Sequence, residues 1–254
     1  MEYFHRLIDF FSTYYYLTGS LALLFLALLL MSLATKHRKP ALISGLLSLP
    51  CALYAVVFVP EYWHPIQVFR WLAGPEDLIF SFANGCLVWI FSVTPFSSRQ
   101  LHLDICVKRL LRRYFLLCAV FIPLLFGGPL LGLRIMDSFV VAAVAVWLVV
   151  FIRRHDLWPV TLSGMLFFTV FYTLSTSLLL IVNPEFLQQW NFRQLSGSQI
   201  CGVPVEEVLW AAAFGATWPL AMAYGFEGHW KSRCKPTEPI QQPKDELELP
   251  GRLT

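Results

Sequence analysis

Seven stretches of the chain, about 13–34, 41–59, 76–94, 114–133, 136–152, 157–182 and 204–226, are nearly free of charge and long enough to cross a bilayer core as helices. No other feature restricts the fold so strongly. Inside lipid every backbone polar group must be satisfied within its own segment, which leaves helices as the reading for runs of this length and composition. The whole chain agrees: 57% of its 254 residues are hydrophobic and only 14% are charged. A soluble domain of this size could not bury so much apolar surface. The expected fold is therefore an all-α polytopic membrane protein of seven transmembrane helices.

Orientation follows from the basic residues. Alternate segments between spans hold 15 of the 19 Lys and Arg, among them Lys36, Lys39, Arg109, Arg113, Arg153, Arg154 and Lys231. The other set holds Arg6, Arg70, Arg134 and Arg193. This asymmetry predicts an outer N-terminus and a cytoplasmic C-terminus, and an even number of spans would destroy it. The first apolar run lacks a small-residue cleavage site and ends at Lys36-His37-Arg38-Lys39, so it reads as a retained span. Residues 96–113 mix leucines with a basic cluster and are expected to form an interfacial amphipathic helix. The polar, proline-rich segment 227–254 is expected to be a disordered cytoplasmic tail.

The first three spans resemble the last three. Leu42-Ile43-Ser44-Gly45-Leu46 matches Thr161-Leu162-Ser163-Gly164-Met165, each after a basic turn with a histidine, and Pro60-Glu61 matches Pro184-Glu185. At an offset of 130, Glu76-Asp77 pairs with Glu206-Glu207, Phe80 with Trp210, Ala83 with Ala213 and Gly85 with Gly215. Four correspondences in the same order predict two parallel three-helix repeats, about 13–94 and 136–226, joined by a linking helix at 114–133 within a membrane domain of residues 1–226. A cavity on the axis between the repeats is the expected ligand site.

Acids at membrane helix starts are costly unless solvated, paired or protonated, which makes Glu76, Asp77, Glu206 and Glu207 the candidate catalytic residues. A simpler reading exists for a single such motif, since a proline and acids suit any helix's first turn. Recurrence at equivalent positions favours function. Glu76 shares a helix face with Phe80, and Glu206 with Trp210, by the i, i+4 rule. A carboxyl beside aromatic faces suits protonation of an alkene, with the rings stabilising the cation. Asn84 joins Phe80 and Trp210 as a candidate substrate-binding residue, while Glu61 and Glu185 are secondary acids. The six cysteines show no paired spacing, no two histidines sit at i+3 or i+4, and no phosphate-binding glycine motif occurs. No metal, cofactor or nucleic acid is expected.

Gly202-Val203-Pro204-Val205-Glu206-Glu207-Val208-Leu209-Trp210 resembles a motif of the integral membrane lycopene cyclases of heterodimeric bacterial, fused archaeal and fungal type. In that family each three-helix half carries Pro-x-Glu-Glu at the head of its last helix. Gly74-Pro75-Glu76-Asp77 is similar but lacks the residue between Pro and Glu and has Asp second. The resemblance covers roughly residues 13–226 and implies a redox-neutral, acid-catalysed cyclisation of a polyene end group. It further implies an isoprenoid or carotenoid partner in a prokaryotic cytoplasmic membrane. Glu76 and Glu206 are expected to be the principal acid and base, tuned by Asp77 and Glu207. A transporter, a noncatalytic lipid-binding protein and a homo-oligomer remain open.

Overall fold

The computed structural model describes residues 6, 10–69, 73–96 and 101–230. Six of its helical runs are long and apolar enough to cross a membrane: α1 (Tyr15–Leu33), α2 (Thr35–Phe58), α3 (Pro75–Val93), α4 (Val107–Leu130), α5 (Ile135–Arg153) and α6 (His155–Val182). A further helix, α7 (Val205–Gly225), is 21 residues long but less apolar, because it carries Glu206, Glu207, Pro219 and several small residues. The outer faces are strongly apolar: Phe115 is 64% exposed, Phe25 69%, Ile181 74% and Ile152 76%. Such faces suit lipid and would aggregate in water.

Helix α3 is the most enclosed of the six, with 67% of its apolar window buried. It packs against α1 and α2 on one side and α6 and α7 on the other. Small residues allow the tightest crossings. A Cβ at Gly45 of α2 would stand 2.9 Å from the Phe82 carbonyl of α3 and still closer to Cys86 Sγ. Gly85 lies equally tightly against Ser44 and Ser48, while Ser44 Oγ donates to the Gly85 carbonyl at 2.6 Å. Gly164 of α6 meets Gly215 of α7 backbone to backbone. The residues matched by sequence, Gly45 with Gly164 and Gly85 with Gly215, thus each sit at a close crossing of α2 with α3 or of α6 with α7. Side-chain hydrogen bonds also join α2 to α7 and α6 to α3: Trp218 Nε1 donates to Ser44 Oγ at 2.9 Å, and Ser163 Oγ donates to the Phe91 carbonyl at 3.2 Å.

The segments that follow α2 and α6 meet at one end of the bundle. Trp63 and Trp190 form an antiparallel bridge, the Asn191 N–H donates to the Tyr62 carbonyl at 2.8 Å, and the His64 N–H donates to the Gln189 carbonyl at 2.5 Å. Near them a short hairpin of β2 (Gln199–Ile200) and β3 (Val203–Pro204) leads into α7. It turns through Cys201 and Gly202, both at positive φ. For Gly202 that conformation carries no steric cost.

Two sequence expectations need correction. Residues 101–113 do not form a separate interfacial helix. Instead β1 (Leu101–His102) pairs with β4 (His229–Trp230), and α4 begins at Val107, so its basic residues form its first two turns. Residues 97–100 of the expected helix lie outside the described residues. The cause is pairing across the chain: Arg109 and Arg113 both reach Glu227 at 2.8 Å, and the Arg113 guanidinium covers the Tyr224 ring at 4.4 Å. The start of the expected tail takes part in the same cluster, since residues 227–230 supply Glu227 and β4, and Trp230 Nε1 donates to the Asp156 carbonyl. Residues 231–254 lie outside the described residues.

Candidate active site

Each acidic pair occupies the second and third positions of its helix, where free backbone amides and the helix dipole favour a carboxylate. The proline makes the two starts differ. In α3 it is the first helical residue, so Gly74 becomes the N-cap and keeps an N–H, which Asp77 Oδ2 accepts at 2.8 Å. In α7 the extra residue Val205 moves the proline to the N-cap, where it has no N–H to give. Glu207 is therefore released from capping and, one methylene longer than Asp77, reaches outward.

The remaining contacts of the two sites nonetheless correspond. Tyr16 of α1 donates to Asp77 Oδ1 at 2.8 Å, and Gln67 Nε2 donates to Oδ2 at 3.0 Å. Tyr172 of α6 donates to Glu207 Oε2 at 2.8 Å, and Trp190 Nε1 donates to Oε1 at 3.0 Å. Glu76 Oε1 accepts the Val68 N–H at 2.7 Å, while Glu206 Oε1 accepts the Ser196 N–H at 2.6 Å. All four acids are buried, and the second oxygen of both Glu76 and Glu206 has no hydrogen-bond partner. Glu206 also lies 3.7 Å from Arg134 Nη1. The Tyr62 phenol, beyond the end of α2, is close enough to Glu207 to feel its charge without forming a normal hydrogen bond. Burial pushes its titration upward, and Glu207 adds to that.

Asp77 and Glu207 line a single cavity of about 570 Å³, whose wall is mostly apolar. Phe80, Asn84 and Trp210 line it too, so all three candidate binding residues come together. Glu76 and Glu206 are not among its lining residues, and neither are Glu61 and Glu185, both of which are exposed. Within each acidic pair the third helical position faces the cavity and the second faces the loop before its helix. A turn of 100° per residue accounts for this, because adjacent residues cannot share a narrow face.

Between the acids stands a set of rings. Phe80 and Trp210 lie 5.9 Å apart at 34°, Tyr16 is 5.9 Å from Phe80, and Tyr172 is 4.9 Å from Trp210. Trp210 also stacks on Phe214 at 5.3 Å and 5°. Asn84 Nδ2 donates to the Phe80 carbonyl at 2.9 Å, leaving its buried Oδ1 without a partner. Sequence reasoning missed Tyr16, Tyr172, Gln67 and Trp190. The distances in sequence from each tyrosine to its acid are 61 and 35 residues, so no local pattern could announce them.

Residues 134–224, which contain α5, α6 and all but the last residue of α7, match the family model described as Lycopene cyclase. The match supports a lycopene cyclase family member. Of Glu76, Asp77, Glu206 and Glu207, the matched residues include the last two, together with Tyr172, Trp190 and Trp210. No curated protein and no solved structure matches the chain. The lycopene cyclase match and the apolar helices together indicate an integral membrane protein with a carotenoid cyclase-like function and a hydrophobic substrate.

Proposed function

We propose that this chain is a membrane-embedded polyene cyclase that closes a ring on an acyclic carotenoid end group, with Asp77 and Glu207 as its proton-transfer pair. The observation that carries the reading is their arrangement: two buried carboxyls, each gripped by a tyrosine, face one apolar cavity across Phe80 and Trp210. One carboxyl gives a proton to the terminal double bond. The resulting tertiary cation is attacked by an internal alkene, forming the ring bond. A carboxylate then removes a proton from the ring, so the product is an isomer of the substrate and no electrons are exchanged. Aromatic faces near the cation lower its energy, by about 2 kcal/mol or more where water is excluded. General acid–base catalysis by each carboxyl adds about 10²- to 10⁴-fold. Glu76 and Glu206, held by loop amides, act as supports that fix the helix starts beside the site.

In this reading α7 is a seventh span, the helices form two parallel three-helix repeats with α4 as the linker, and the acids lie towards the outer face. The equivalent glycine crossings, the matched acid contacts and the paired segments after α2 and α6 support that arrangement. Burial among other helices explains how α7 tolerates two glutamates. The distribution of basic residues supports an outer N-terminus and a cytoplasmic C-terminus, and the proposed location is a prokaryotic cytoplasmic membrane. The test is expression in cells that accumulate lycopene, followed by chromatography of their pigments. The account expects cyclised products of unchanged mass. Unaltered lycopene in the presence of folded, membrane-inserted protein would refute the assignment.

A further inference from the structure

The cavity joining Asp77 and Glu207 has two unlike ends. At one end its wall is built from Gly19 and Ala22 of α1 and from Ser175, Leu178 and Val182 of α6. Ala22 is exposed, as are Leu178 (62%) and Val182 (71%), so the cavity wall there is also the outer surface of the bundle. The cavity opens sideways between α1 and α6. Gly19 lies at its edge, where a Cβ would come into ordinary contact with Leu179 of α6 at 3.6 Å and a larger side chain would fill the gap.

The opposite end is walled by Cys51 and Tyr54 of α2, by Leu117, Cys118 and Phe121 of α4, and by Phe139 of α5. None of these residues is exposed. Tyr54 stacks on Phe121 with centroids 5.4 Å apart, and Phe121 meets the edge of Phe139 at 5.5 Å. If α1 and α6 correspond to α5 and α2, as the proposed repeat requires, a second mouth would fall between α2 and α5. The linking helix α4, which has no counterpart in the repeat, supplies Phe121 to that position.

We propose that the cavity is a blind pocket with one lateral mouth between α1 and α6, which admits a long apolar chain from the bilayer one end at a time. The repeat would otherwise give a through-passage, and α4 converts it into a dead end. A two-ended polyene then has to leave and re-enter before its second ring can form, so a monocyclic product accumulates ahead of the bicyclic one. The identity of the chain as a polyene rests on the function proposed above, whereas the mouth itself rests on geometry alone.

The test uses the full-length protein in lipid nanodiscs mixed with lycopene-loaded vesicles. Loading is read by quenching of tryptophan emission, because Trp63, Trp210 and Trp218 line the cavity. Gly19→Phe narrows the mouth from a packed helix face, and Ala22→Phe does so from an exposed position where folding is not at stake. Both are expected to slow loading by about tenfold or more, as obstruction of a gate does. Leu53→Phe on α2 and Leu116→Phe on α4, both on the outer surface of the closed end, are expected to load at the wild-type rate. Wild-type loading by both folded mouth variants would overturn the proposal, as would equal slowing by the α2 and α4 variants. Loading that depends on the mouth but yields no ring would refute the cyclase reading and leave the mouth standing. Ring formation at full rate in the mouth variants would do the reverse.

Discussion

Replacing Tyr172 with Phe deletes one oxygen atom from a buried site and almost no volume. Glu207 then loses the donor at 2.8 Å on Oε2 and keeps only the Trp190 indole at 3.0 Å on Oε1. A hydrogen bond to a charged group contributes about 1.5–3 kcal/mol. If the tyrosine holds Glu207 in position while charge develops, the same energy appears in the barrier, or roughly 10- to 150-fold in rate. Tyr16→Phe should cost less, because Asp77 keeps two donors, the Gly74 amide at 2.8 Å and Gln67 at 3.0 Å. The assay is the initial rate of ring formation in membranes containing equal amounts of folded protein, with lycopene varied to separate kcat from KM. The expected result is a fall in kcat, larger for Tyr172→Phe than for Tyr16→Phe, with KM little changed. Unchanged kcat in folded Tyr172→Phe, where Glu207→Gln is inactive, would refute the view that the tyrosine positions the acid.

Other outcomes follow from the same geometry. Asp77→Asn and Glu207→Gln should each lower ring formation by about 10²-fold or more, whereas Glu76→Gln and Glu206→Gln, which lie off the cavity, should mainly lower the unfolding temperature; pigment analysis and thermal unfolding separate the two effects. Gly45→Ala should destabilise by about 1–3 kcal/mol, since its Cβ would press on the Phe82 carbonyl. By contrast Gly127→Ala on α4, with nothing within 4 Å, should be neutral or stabilising by up to about 1 kcal/mol in the same unfolding assay. Glu227→Gln should weaken both arginine contacts at the other end of the bundle, lowering stability by about 1 kcal/mol without altering ring formation.

The helices were largely legible in the sequence because lipid imposes one simple requirement, a long uninterrupted apolar run. Expected spans at 13–34, 76–94 and 136–152 differ from α1, α3 and α5 by only one or two residues at their ends. The region at 96–113 is ambiguous in sequence, because its alternating leucines and cations fit an interfacial helix as well as the strand and first turns of α4 found there. What decides the matter is Glu227 and the strand at His229–Trp230, more than 100 residues away. At the site the sequence marked the acids, Phe80, Asn84 and Trp210, and the structure gathers them around one cavity. It put Glu76 and Glu206 ahead of Asp77 and Glu207, whereas which member of each pair faces the cavity depends on the rotation of each helix about its axis. Nor did it reveal Tyr16 or Tyr172, which come from other helices and from non-matching places in the proposed repeat.

Mass spectrometry of the product formed in deuterated water tests the central claim most directly, because protonation of an alkene by an exchangeable carboxyl leaves a mark. The carboxyl takes its deuteron from solvent, the substrate receives it, and the proton later removed comes from carbon. The account predicts one deuterium for each ring formed, with no other change of mass. Rings formed without deuterium, or with a net loss or gain of two hydrogens, would contradict proton-initiated, redox-neutral cyclisation at Asp77 and Glu207.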